Sequence, residues 1–333
     1  MSDARVGGSR DDEVSVAICT RDGERYLPAQ LDSILAGSEL PAEVVVIDDT
    51  STDGTVAILE RFAETARARG IRVVLERNPA PLGVTANFER AIRATTGGIV
   101  VLCDQDDVWH PERIAVAREA YRADPELLFL HGDAVVVDGA GDADGTTLFA
   151  RLEVSSHEAD AVRRGDAFPV YLRRNLATGA ASSFRRPLLD DALPFPAGWL
   201  HDEWLATLAA ARGGLRIDDR ALIDYRVHGG NQVGAAAPTL RHKISRVVDT
   251  DAERNALLAQ RADELAERLA ARGLPAPLVE RSWRKARFER ARAALPRHRW
   301  ARAPRVVGWL LTGEYRALAS RGSWDAVRDL LRR

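Results

Sequence analysis

The stretch VVLCDQDDVWHP, residues 100–111, ends a run of apolar β-formers in three carboxylates, Asp104, Asp106 and Asp107. Two charges about 5 Å apart repel by roughly 3 kcal/mol at an effective dielectric of about 20. A group that offsets this repulsion is expected, and a divalent cation is the candidate. Mg2+ or Mn2+ accepts one or two carboxylates together with phosphate oxygens, and Asp104 and Asp106, spaced i and i+2, suit that role. The alternative is an acidic turn ahead of a helix starting at Pro111. A second acidic pair, Asp48 and Asp49, closes EVVVIDD at 43–49. A carboxylate there can accept from a base N–H or a ribose hydroxyl. It can equally belong to a turn or helix cap, for which Ser51 and Asp53 are suitable residues. Thr20 and Arg21 follow another apolar run, VSVAIC at 14–19, and are placed to line the same crevice.

The elements that must position these groups alternate. VSVAIC, EVVVIDD, IRVVLERN (71–78) and IVVLCD (99–104) read as strands that are apolar throughout. Between them, Leu27, Leu31, Ile34 and Leu35, then Val56, Leu59 and Phe62, then Val84, Phe88 and Ile92 recur at helical spacing. Strands of this kind, separated by amphipathic helices, predict a parallel sheet with helices on both faces. Ligands of such sheets bind at the carboxyl ends of the strands, where TRD, DDTSTD and DQDD fall. No G-x-G-x-x-G follows the first strand and no G-x-x-x-x-G-K-[ST] occurs, so a glycine cradle for phosphate is not expected. Beyond 111, LLFLHGDAVVVD (127–138) alternates like a strand, GAGDADGTT (139–147) reads as a loop, and a mixed region runs to about 237. From 240 onward the chain reads as helices, with Leu257, Leu258, Leu265 and Leu269 on one stripe.

Composition bounds the class. The chain has 333 residues, 46% of them hydrophobic, which supports a full core rather than disorder. Cys19 and Cys103 are its two cysteines, too few for a disulfide framework or a cysteine zinc cage, and a reducing compartment is expected. The opening MSDARVGGSRDDE lacks an apolar signal region, and no apolar run is long enough to span a bilayer. Net charge is −2, yet residues 240–333 hold 22 Arg and Lys against 11 Asp and Glu.

These segments together carry a resemblance. VSVAICTRDGERYLPAQLDSIL, EVVVIDDTSTDGT, LGVTANFERAI and VVLCDQDDVWHPERI are similar to the family 2 glycosyltransferases, especially their rhamnosyltransferase-like members. The likeness continues in NLATGAASSFRRPLLDDALPFP, WLHDEW and YRVHGGNQVG, so that it covers about 13–235 in the family's order. TGEYRALASRGSWDAVRDLL resembles the family's tail. Arg21 and Asp22 depart from the more usual Tyr-Asn.

The resemblance implies a GT-A α/β fold. Its parts would be a disordered tail 1–12, a transferase domain 13–237 (nucleotide half 13–110, acceptor half 111–237) and a helical region 238–333. It implies inverting transfer of a sugar, rhamnose by subgroup likeness, from a dTDP- or UDP-linked donor to a glycan or lipid-linked hydroxyl. Asp49 would bind the base, with Asp48 beside it and Thr20, Arg21 and Asp104 in the same nucleotide site. Asp106 would be the principal ligand of Mn2+ or Mg2+, with Asp104 its partner; His228, by its imidazole and its Gly-rich loop, is a candidate third ligand or phosphate contact, or else structural. In HDEW, Asp202 would be the general base. As an exposed aspartate of pKa near ~4 it would be ionised at neutral pH, although the residues alone allow it to cap the helix EWLATLAAA. Glu203 is the reserve, and Trp199 and Trp204 offer indole faces for an acceptor sugar or else belong to the core. Arg226 could pair with a phosphate.

Two other readings compete. A nucleotidyltransferase making nucleotide-sugars would need a glycine-rich, basic loop after the first strand, which is missing. A non-catalytic nucleotide- or sugar-binding module would not depend on Asp202. The run RSWRKARFERARAALPRHRWARAPR (281–305) carries ten Arg or Lys and one acid, with Trp283, Phe288 and Trp300 interleaved. It reads as a solvated helix face, as a surface for peripheral contact with an anionic membrane, or as a nucleic-acid surface, which no recognition motif supports. Together these features place the chain in the cytoplasm, free or at the inner face of the plasma membrane.

Overall fold

The computed structural model describes residues 10–228 and 252–332. Of the expected disordered tail, 1–9 lies outside them. Arg10–Asp12 form a 3-10 turn, and the Arg10 carbonyl accepts from the amide of Gly98 at 2.8 Å. The boundary expected at 237, and the GGNQVG of the last acceptor-half motif, also lie outside the described residues.

The first half alternates as the apolar runs require: β1 (Val14–Thr20), α1 (Leu27–Leu35), β2 (Glu43–Asp48), α2 (Thr55–Ala68), β3 (Arg72–Arg77), α3 (Val84–Ala94) and β4 (Ile99–Cys103). Then come β5 (Val108–Trp109), α4 (Arg113–Ala123), β6 (Phe129–Val137), β7 (Ala143–Thr147), α5 (Leu148–Arg151), α6 (Ser156–Arg163) and α7 (Phe168–Arg173). β8 (Ser182–Arg185), α8 (Leu188–Ala192), α9 (His201–Ala211) and β9 (Leu215–Arg226) complete this part of the chain. One sheet runs β3-β2-β1-β4-β8-β6-β9-β5, with β7 on the flank of β6.

β3, β2, β1 and β4 are mutually parallel, with Thr20 beside Asp48 and Ile18 beside Cys103. Their carboxyl ends therefore finish on one edge. β8 is antiparallel to both β4 and β6, so β6 and its parallel partner β9 regain the direction of β4. The loop entering β8 and the segment leaving β9 consequently arrive at that same edge.

Burial on both faces follows from strand alternation. Ala17, Val45, Ile47, Val100 and Leu102 pack with α3, α7 and α9, whereas Val16, Ile18, Val44, Val46 and Val101 pack with α1, α2 and α4. Each Val, Leu and Ile among them contributes about 1.5–3 kcal/mol by leaving water. The expected loop 139–147 is corrected at its second half. Ala143–Thr147 pairs antiparallel with β6 although all five of its residues are exposed. Its stability comes from backbone bonds to a formed edge, which leave no apolar alternation in the sequence.

The C-terminal region is helical: α10 (Ala252–Ala271), α11 (Ala276–Ala293), α12 (Arg299–Leu311), α13 (Glu314–Leu318) and α14 (Ser323–Leu331). The leucine stripe on α10 is buried only in its second half. Leu265 and Leu269 join the main core, whereas Leu257 is 42% exposed. No helix among the described residues is long and apolar enough to cross a membrane.

The basic run is not a uniformly solvated face, because Lys285, Arg292 and Arg302 are buried. Arg292 lies between Glu289 (2.9 Å) and Asp329 (2.7 Å), Lys285 pairs with Glu289 at 2.6 Å, and the Tyr315 hydroxyl donates to Asp329 at 2.6 Å.

Two stability outcomes follow. Arg292→Leu leaves Glu289 and Asp329 buried without their shared cation, and chemical denaturation should show a loss of about 3–5 kcal/mol. Trp204 is fully enclosed, with its indole N–H donating to the Ala192 carbonyl at 2.9 Å. Trp204→Ala should cost about 3–5 kcal/mol in the same measurement.

Candidate active site

At the ends of β1 and β2 two adjacent carboxylates have separate tasks. Asp48 is buried and accepts from the Thr20 hydroxyl (3.0 Å), the Ser51 amide (2.9 Å) and the Ser51 hydroxyl. It braces the turn and does not line the cavity, which corrects its expected place beside the base. Asp49 points the other way and lines the cavity. It accepts from the amides of Leu82 (2.8 Å) and Gly83 (3.0 Å) and from Asn78 Nδ2 (2.6 Å), with Arg21 Nη1 at 3.9 Å. Burial raises its pKa, but these donors outweigh burial and hold it below the usual carboxylate range. Asp22 and Thr50, the next residues on each loop, have φ of 47° and 68°. Such left-handed backbone is uncommon outside glycine. The Asp22 carboxylate accepts the Thr52 amide at 2.7 Å and so ties the two loops together.

β4 delivers the acidic loop. Gln105, which sequence reasoning missed, clamps the backbone of Arg21: its Oε1 accepts from the Arg21 amide (2.9 Å) and its Nε2 donates to the Arg21 carbonyl (3.0 Å). Asp106 Oδ2 lies 2.9 Å from His228 Nε2, a contact between residues 122 positions apart. Asp104 is partly open to the cavity. Burial, then the charges of Asp106 and Asp202, push its pKa up to about 7 against the opposing pull of Arg113. Asp107 turns inward, accepts the Arg226 amide at 2.9 Å, and its other oxygen is buried without a partner among the described residues. Arg226 does not line the cavity. Its guanidinium donates to the carbonyls of Asp106 (2.9 Å) and Asp138 (3.1 Å) and lies over the Tyr26 ring. It holds the acidic loop, which replaces its expected place on a phosphate.

The donor set of Asp104, Asp106 and His228 fits Mn2+ or Mg2+: oxygen and imidazole nitrogen, with the Asp106 charge adding to the cost of ionising Asp104. Among the described residues no three His, Cys, Asp or Glu side chains are already grouped around a common point. A partial set is what these ions use when substrate phosphates and water complete the shell.

α9 supplies the far wall. Asp202, in its first turn, is buried rather than exposed as expected. Its Oδ2 accepts the Gly179 amide and its Oδ1 the Glu203 amide, both at 2.8 Å. The first helical residue is His201, so Asp202 lies inside the helix rather than capping it. Burial raises its pKa, partly opposed by those amides. His201 stacks on Phe88 with ring centres 3.8 Å apart, and burial lowers its pKa to about 3, so it is neutral. Both of its ring nitrogens lack a partner among the described residues, and it faces the cavity.

The expected acceptor platform is corrected. Trp204 is core, and Trp199 is buried against Trp204 and under the Arg261 guanidinium at 4.2 Å. Glu203 pairs with Arg261. All three serve the contact of α9 with α10, and none lines the cavity.

The cavity, of about 340 Å³, thus gathers Thr20, Arg21, Asp49, Asp104, Asp106, Asp202 and His228. Asn175 and Thr178, from the loop entering β8, join them and were missed by sequence reasoning. They lie in the segment NLATGAASSF, whose motif was visible but whose register against the strand ends was not.

Residues 15–158 match the family Glycosyl transferase family 2. An uncharacterized glycosyltransferase of Nostoc sp. is 26% identical over 229 residues, 68% of each chain. A Mycobacterium tuberculosis protein is 28% identical over 221 residues, 65% of this chain and 59% of its own length. The dTDP-rhamnosyl transferase RfbG of Shigella flexneri is 25% identical over 230 residues, 66% of this chain and 74% of its own. In three dimensions, residues 1–349 of S. aureus TarS in complex with UDP-GlcNAc superpose with a TM-score of 0.56 at 16% identity, covering 96% of this chain and 90% of that one. The chain therefore has the GT-A fold, and its residues 15–158 are similar to the family 2 glycosyltransferases.

Proposed function

We propose that the protein is an inverting, metal-dependent glycosyltransferase that moves a sugar from a nucleoside-diphosphate donor to a hydroxyl of a glycan or lipid-linked acceptor. The observation that carries this reading is the convergence of Asp49, Asp104, Asp106, Asp202 and His228, from distant segments, on one cavity. The dTDP-rhamnosyl transferase and the UDP-GlcNAc complex among the similar proteins support dTDP- or UDP-linked donors, with rhamnose the first sugar to try.

Asp49 binds the base. A carboxylate has about four lone-pair sites, and three are filled by Leu82, Gly83 and Asn78, which orient it and leave room for one base N–H. Thr20 and Arg21 flank it. Asp104, Asp106 and His228 would hold Mn2+ or Mg2+, whose chemistry is to offset the charge of a diphosphate leaving group. The acceptor oxygen attacks the anomeric carbon as the bond from that carbon to the diphosphate oxygen breaks. Asp202 takes the hydroxyl proton, and one displacement inverts the anomeric centre. Neutral His201, beside Asp202, can accept or donate a hydrogen bond to a bound hydroxyl without adding charge.

Asp202→Asn should lower turnover by about 10²–10⁴-fold while calorimetry shows donor affinity retained; unchanged turnover would reject the assignment. The sign of the pH effect follows from burial. With its pKa raised, Asp202 is protonated, and useless as a base, at pH values where an ordinary aspartate of ~3.9 would still be ionised. The acid limb of kcat/KM should therefore lie above that value.

Donor class is read by thermal shift with a panel of nucleoside diphosphates, with and without Mn2+. Stabilisation rises with ligand affinity by mass action. The expected result is stabilisation by dTDP or UDP that grows with Mn2+ and is lost in Asp106→Ala; stabilisation indifferent to the metal would remove the metal role.

A further inference from the structure

The C-terminal lobe buries several charged side chains and leaves several large apolar ones exposed. On α12, Trp300 (91% exposed), Val307 and Leu311 (84% exposed) all project to solvent. With Pro304 they fall within roughly 60° of arc at about 100° per residue. The opposite side of the helix holds Arg302 and Val306, both buried. α14 repeats the pattern. Trp324 (72% exposed), Val327 and Leu331 face outward, whereas Asp325 and Asp329 are buried against the core of the lobe. The helices are joined through that core, where Arg302 donates to the Arg332 carbonyl and Val306 and Ala326 share a cluster with Tyr315 and Leu318.

Singly exposed apolar residues are ordinary, but a continuous amphipathic face turned to solvent marks an interaction surface. Its surroundings name the partner. Arg297, Arg299, Arg305, Arg316 and Arg321 are exposed on the same lobe. Between 294 and 332 the acids are Glu314, Asp325 and Asp329; the last two are buried and Glu314 pairs with Arg284 at 2.7 Å. Apolar side chains that include two tryptophans, rimmed by arginine with almost no surface acid, match the boundary layer of an anionic bilayer. A symmetric second copy fits less well, because a two-fold contact would bring the arginine rims of both copies together.

We propose that the outer face of α12 and α14 docks on an anionic lipid surface, with Trp300, Leu311 and Trp324 entering the acyl boundary and the arginines pairing with headgroups. This stands apart from the transfer reading, since its test measures sedimentation and not turnover.

The full chain is mixed with phosphatidylglycerol/phosphatidylethanolamine vesicles or with phosphatidylcholine vesicles, at low and high salt. Expected are binding to the anionic vesicles only, weakening with salt, and a blue shift of tryptophan emission on binding. Trp300→Ser with Leu311→Ser should lower partitioning by at least about tenfold, and Arg299→Glu with Arg305→Glu should lower it and remove the salt dependence. Both pairs replace exposed side chains, and a melting temperature equal to the parent's confirms the fold. Equal sedimentation with both lipids, or parent-like binding by both pairs, overturns the proposal. So does a concentration-dependent dimer in sedimentation velocity that Trp300→Ser dissolves in a protein that ignores vesicles.

Discussion

Like charges held close together in a recess that water reaches poorly are the constraint around which this molecule is arranged. Asp104, Asp106 and Asp107 stand within four consecutive positions of one loop, and Asp202 adds a further carboxylate that raises the pKa of Asp104. The parallel sheet creates the crowding by ending β1, β2 and β4 on a common edge. It also moderates it. Arg113 lies behind the loop, Arg226 ties the loop's carbonyls, and Gln105 pins it to the end of β1. Asp104 and Asp106 face the cavity, where the proposed cation would offset their charge.

Neighbouring residues serve unlike ends because backbone geometry separates them. Asp48 and Asp49 follow one another, yet one braces a turn inside the protein and the other opens on the cavity. The same division recurs at the start of α9. Asp202 turns to the cavity, Glu203 to Arg261 of α10, and Trp204 to the core. Successive helical positions diverge by about 100°, so three adjacent residues meet three environments. α9 thereby anchors the far wall of the site to the C-terminal helices.

The C-terminal lobe shows what happens when a basic sequence folds around its own charges. Arg292 is enclosed because Glu289 and Asp329 meet it, and Lys285 because Glu289 does. With these polar groups inside, Trp300, Val307 and Leu311 of α12 and Trp324, Val327 and Leu331 of α14 lie on the outer surface. A solvated basic face was one reading of this run, and the burial of its central cations overturns that reading for them.

The continuous apolar strands, the helical spacing between them and the acidic strand ends were legible in the chain itself, because periodicity and local polarity depend on nearest neighbours. They carried the sheet's first half, Asp49, Asp104 and Asp106 to the correct edge, and the order of motifs marked Asp202 and His228. β7 was invisible because its exposed residues are held only by backbone pairing to β6. The acceptor-half aromatics were misplaced because α9 is buried nearly all round, so no hydrophobic stripe distinguishes cavity from core. Which carboxylate of an adjacent pair faces the cavity, that His201 stacks on Phe88, and that Asp202 is buried were decided only when segments 23 to 113 positions apart came within about 4 Å, where dispersion and hydrogen bonding first act.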